Sequence, residues 1–119
     1  MNYWMDYELQ RIRGNRPSFP EHSSESFPPS PTPADAQEWD RLRKLFADLL
    51  MNFNALANCS PQEMQRQIVS VHKGDTKLAG TLEAVLWQMV THNSYHTGQI
   101  AMIRRMLNAW PPRGGGDTW

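Results

Sequence analysis

Between Trp39 and Leu56 the large apolar residues fall at Trp39, Leu42, Phe46, Leu49, Phe53 and Leu56, alternately three and four apart. That spacing places all six on one stripe of an α-helix. Such a stripe is stable only when another helix covers it. The pattern predicts an all-α fold built on helix–helix packing. Thr32-Pro33-Ala34-Asp35 supplies a cap residue, a proline at the first helical position and an acid three residues after the cap. The helix is therefore expected over 33–58.

Three further helices are expected. In "MNYWMDYELQRIR", residues 1–13, Met1, Met5, Leu9 and Ile12 share a face. Gly14 then offers a left-handed stop, with Pro17 beyond it. Nothing precedes Met1 to cap this helix, which reads as one whose start has been cut away. Ser60-Pro61-Gln62-Glu63 is a second capping box and predicts a short helix over 61–67. "IVSVHKGDTKLAG" reads as extended and then looped, with His72 in the loop. Thr81 caps a last helix over 81–109, stopped by Pro111 and Pro112.

Residues 15–33 hold six prolines and five serines and are read as a linker. It is too long for a simple helix–helix turn and is expected to cross the outside of a bundle, with Phe19 and Phe27 as anchors and His22 in solvent. Residues 111–119 form an irregular tail, with Trp119 as a further anchor. The whole chain, 1–119, is read as one domain.

Twelve basic residues balance twelve acidic ones. This argues against nucleic acid or an anionic membrane as the main partner. No apolar run reaches the length needed to span a bilayer. Cys59 is the one cysteine, and with no signal peptide it suits a reducing cytoplasm.

The inward stripe of the last helix runs Val85, Met89, His92, His96, Gln99, Ile103 and Met106. His92, His96 and Gln99 replace apolar residues in the middle of it. Histidines four apart stand one turn apart on one face and can converge on a cation. They can also sit in a core as neutral rings if each nitrogen finds a partner. Three polar groups in mid-seam cost stability unless satisfied, which favours a functional reading. A third ligand is then required. Asp6, Glu8 and His72 are the oxygen or nitrogen donors to consider, and no spacing selects among them.

Residues 92–119, "HNSYHTGQIAMIRRMLNAWPPRGGGDTW", resemble the last helix and tail of the DinB/YfiT-like family of bacterial four-helix-bundle proteins. "MNYWMDYELQRIRGNRP" is similar to that family's second helix, and the Trp39 helix to its third. The resemblance implies an up-down helical bundle lacking its first helix, with dimerisation as a way to complete it. It also implies a divalent metal, zinc or nickel with iron as a further option, held by His92, His96 and a third histidine. That third ligand would fall immediately before Met1, so the site expected here is an incomplete three-histidine set, with Gln99 as a neighbouring pocket or supporting group. The implied activity is metal-dependent, either transfer of low-molecular-weight thiols or hydrolase-like chemistry. The alternative is a non-catalytic dimeric helical module with a vestigial metal site, its apolar side chains such as Met5, Trp39 and Met89 uncovered within one chain. DNA binding has no basic patch to support it.

Overall fold

A computed structural model describes residues 1–72 and 75–115, with backbone alone at 70–72 and 75–79. The order of elements is α1 (Asn2–Ile12), a 3-10 turn (Ser23–Ser26), α2 (Ala36–Ala57), α3 (Pro61–Met64), β1 (Gln67–His72), β2 (Asp75–Thr81) and α4 (Leu82–Met106). The described chain is mostly helical. One element departs from the all-α expectation. The segment from Ile68, read as extended and then looped, is extended as expected at first, but the part read as loop supplies a second strand, so that β1 and β2 form an antiparallel hairpin and His72 belongs to the first strand. Its pairing shifts between Ile68 and Val69, opposite Gly80 at φ +113°, a bulge that a glycine accommodates without strain. No helix among the described residues is long and apolar enough to cross a membrane.

The contacts divide the chain into two compact units, 1–87 and 88–119. In the first, Met5, Leu9 and Ile12 of α1 are buried, as are Leu49 and Phe53 of α2, Ile68 of β1, and Leu82 and Val85 at the start of α4. The α2 seam is thus real at its centre. Trp39 at its near end is 53% exposed, whereas Met5, expected to be uncovered, is fully buried.

Hydrogen bonds fix the direction of α1 against α2. Asn2 Nδ2 donates to the Leu42 carbonyl at 3.0 Å, and Arg13 donates to Asn52 Oδ1 at 2.8 Å. Both partners advance together along the chain, so the two helices run parallel. The up-down alternation expected of consecutive helices does not hold for this pair. A parallel pair needs its connection to travel back along a helix length, which explains the long proline-rich linker. Phe19 anchors that linker against the rings of Trp4 and Tyr7, at 5.7 and 5.9 Å between centroids. Phe27 does not; it is 67% exposed. The proposed anchor Trp119 lies outside the described residues.

The ends of the helices show what stops and starts them. Gly14, at φ +85°, closes α1. The Asn15 amide bonds the Gln10 carbonyl and the Gly14 amide the Arg11 carbonyl, the paired bonds of a Schellman cap. The cap of α2 is Asp35, whose Oδ1 accepts from the Glu38 amide at 2.7 Å while Glu38 Oε2 accepts from the Ala34 amide at 2.6 Å. The cap is therefore three residues later than Thr32. Ser60 and Thr81 cap α3 and α4 as expected, accepting from the amides of Glu63 and Ala84 at 3.2 Å. α3 ends at Met64, before the predicted 67, because Gln67 pairs with Thr81.

Asp35→Ala should lower stability by about 1 kcal/mol, a typical cost for a lost cap. Thr32→Ala should leave it within about 0.5 kcal/mol, as for an uninvolved surface position. Urea unfolding of both variants measures the difference and reads out which residue starts α2.

Candidate metal centre

The second unit carries the histidine pair on α4. This helix ends at Met106 rather than 109. Asn108, at φ 53°, adopts the left-handed conformation. The Asn108 amide bonds the Arg105 carbonyl, and the Ala109 amide bonds the Arg104 carbonyl. An asparagine thus performs the stop that the sequence assigned to Pro111 and Pro112. Arg104 and Arg105 occupy the last turn, where cations suit the helix dipole.

The stripe read from the sequence is buried at Val85 and Met89, half-buried at His92 and His96, and exposed from Gln99 through Ile103 and Met106. Met89 is therefore covered, contrary to expectation. The polar replacements fall where the stripe passes from buried to exposed, which leaves both rings partly dry.

The helical offset brings the two imidazoles together. The His92 and His96 rings lie 4.6 Å apart between centroids, edge to face at 78°. His96 Nδ1 is 2.8 Å from Gln99 Oε1. The Gln99 amide nitrogen donates to the Tyr95 hydroxyl at 3.0 Å, which leaves the amide oxygen to accept. His96 Nδ1 then carries the proton and Nε2 presents its lone pair. The Tyr95 ring also packs edge-on against His96 at 5.4 Å. A histidine held through one nitrogen by an amide, with the other nitrogen left as a donor to a cation, is the arrangement that orients metal-bound imidazoles. At His92, Nε2 is buried and has no hydrogen-bond partner among the described residues. Burial, with the neighbouring His96 charge adding to it, lowers the His92 pKa, which favours the neutral ring that a metal ligand needs.

The other candidate donors are placed differently. Glu8 is buried on α1 and committed to Arg11, whose NH1 lies 2.8 and 2.6 Å from its two carboxylate oxygens. Asp6 is exposed on α1. His22 is exposed, its amide bonded to Glu25 Oε1 at 2.9 Å. The His72 side chain lies outside the described residues. No group of three His, Cys, Asp or Glu residues able to hold a metal ion occurs among the described residues. The structure thus joins His92, His96 and Gln99. It adds Tyr95, which the sequence reading missed; its position four before Gln99 was the available signal. No family model, curated protein or solved structure matches this chain.

The lowered His92 pKa has a definite sign for stability. An unfolded histidine titrates near about 6.5. The neutral ring's contribution is present above that pH and is lost as pH falls through the lower folded value. His92→Phe should therefore flatten the decline in urea midpoint between about pH 7 and pH 5. NMR titration of the wild-type ring should place His92 below the ordinary histidine range.

Proposed function

We propose that this chain is a DinB/YfiT-like helical protein whose His92–His96 pair binds a divalent metal, zinc or nickel, with iron as the further option. The observation that carries the reading is the state of the two rings. One has its tautomer fixed by Gln99, and the other has a buried ring nitrogen with nothing to bond. Neutral rings filling a core would each need a partner, and His92 Nε2 has none among the described residues. His92 and His96 would hold the cation, and Gln99, braced by Tyr95, would orient His96. When bound, the metal would activate a thiolate or a water. That chemistry fits the thiol-transfer or hydrolase-like activities implied by the resemblance, in a cytoplasmic protein acting on a small molecule such as a low-molecular-weight thiol. With two matched ligands, retention should be weak and exchange fast.

A second reading is favoured by a separate observation. Val90, Ile100, Met102, Ile103 and Met106 of α4 are all at least half exposed. A non-catalytic homodimer, with the histidines as a vestigial site, would cover such side chains.

Calorimetric titration of untagged protein with zinc and with nickel should show reversible binding with release of protons. His96→Ala should abolish it, and Gln99→Leu should weaken it about 10- to 100-fold, the usual cost of losing a group that orients a ligand. An absence of wild-type binding, or equal binding by His96→Ala, would overturn the metal site. Light scattering at high micromolar concentration should show a dimer, and a monodisperse monomer would remove the second reading.

A further inference from the structure

The first unit has a cleft where the end of α1 meets the start of β1. It encloses about 150 Å3 and is lined by Arg11, Arg16 and Arg66 together with Gly14, Asn15 and the backbone strand 67–69. That volume is the size of an engineered cavity that admits benzene, but three arginines are among the residues that line this one. We propose that it is a binding site for a phosphate group, either the free ion or the phosphate of a small ester.

The carboxylates nearby do not use up the positive charge. Arg11 is 9% exposed. Its NH1 serves both Glu8 oxygens and its Nε bonds the Val69 carbonyl at 3.2 Å. Its NH2 is buried without a partner. A guanidinium is a rigid fork of five donors that cannot shed its charge, so an unmet pair of N–H bonds in a dry place is a cost to the fold, and an oxyanion that drew the side chain towards the cleft would remove it. Arg66 bonds the Ile12 carbonyl through NH1 at 3.2 Å. Its Nε bonds Glu63 at 2.5 Å across a half-exposed surface pair, a type of pair that is weakly held. No contact of Arg16 with an acid occurs among the described residues. With Glu8 offsetting Arg11 and Glu63 offsetting Arg66, the lining is left positive by Arg16.

The negative end of α1 is also masked. The carbonyls of Leu9, Gln10, Arg11 and Ile12 accept from Arg13, Asn15, Gly14 and Arg66 respectively. The usual penalty for an anion near a helix C-terminus is thereby reduced. The fork of Arg16, which meets no acid among the described residues, can match two phosphate oxygens at a time, which favours phosphate over a monovalent ion.

NMR titration of the full chain with inorganic phosphate, and separately with glycerol phosphate, tests this against sodium chloride at equal ionic strength. Saturable shifts should centre on residues 11–16 and 66–69 and be absent with chloride. Tighter binding of one form identifies the free ion or the ester as the ligand type. Arg66→Gln and Arg11→Lys should each weaken binding about tenfold, the loss of one charge-assisted contact. The lysine keeps a cation opposite Glu8 so that the fold survives, which circular dichroism checks. No saturable shift with either phosphate, shifts centred elsewhere, or unchanged affinity in both variants would overturn the proposal.

Discussion

Inside the first unit, α1 presents two opposite charges to the interior, Glu8 and Arg11, each less than a tenth exposed. Burial raises the Glu8 carboxyl pKa and Arg11 opposes the rise. The pair is one turn apart on the same face as Met5, Leu9 and Ile12, so it is packed among the residues that fill the core. Ion pairs of this kind contribute little net stability over apolar side chains, yet removing one partner costs about 3–5 kcal/mol. What the pair adds is position. Arg11, pinned by Glu8, reaches the Val69 carbonyl and so ties the hairpin to α1. Arg66 returns the link from the strand start to Ile12, and the carbonyl of Arg66 receives the Leu82 amide at 2.8 Å. The start of α4 is therefore placed by a chain of polar contacts that begins at Glu8.

The parallel run of α1 and α2 is the other constraint on that unit. Antiparallel neighbours can be joined by a few residues, whereas parallel ones require a return path. The prolines of the linker keep that path extended without regular structure. Phe19 supplies the fixed point, meeting Trp4 and Tyr7 on α1, and the aromatic group extends to Tyr3, whose ring lies 5.2 Å from Trp4. The linker is thus a packed strap near its start and an exposed run towards α2.

Helix positions were legible because periodicity and capping chemistry are local. Met5, Leu9 and Ile12, and Leu49 and Phe53, were visible as stripes, and Ser60, Thr81 and Gly14 as boundaries. The misreadings have physical causes. Thr32 and Asp35 both satisfy the pattern of a cap, and only the reciprocal bonds of Glu38 decide between them. The hairpin was hidden because its second half, "DTKLAG", is rich in turn-forming residues and its pairing is set by tertiary contacts rather than by propensity. Glu8 and Arg11 look like an ordinary surface pair three apart, and nothing in the sequence marks them as interior. The histidine pair was legible from spacing. The tautomer set by Gln99 and the orphaned nitrogen of His92 were not, since they depend on rotamers and burial.

The ring, amide and hydroxyl that orient His96 all lie between Tyr95 and Gln99, within little more than one turn of a single helix. Their geometry comes from helical pitch alone. The intervening Thr97 and Gly98 take no part in it, and a Cβ at Gly98 would meet nothing within 4 Å. Residues other than proline can therefore stand at Gly98 without disturbing it, but the number of residues between His96 and Gln99 cannot change. Inserting or deleting one residue there rotates the amide by about 100° around the helix and dismantles the arrangement, so this stretch is tolerant of substitution at Gly98 and intolerant of any change in length.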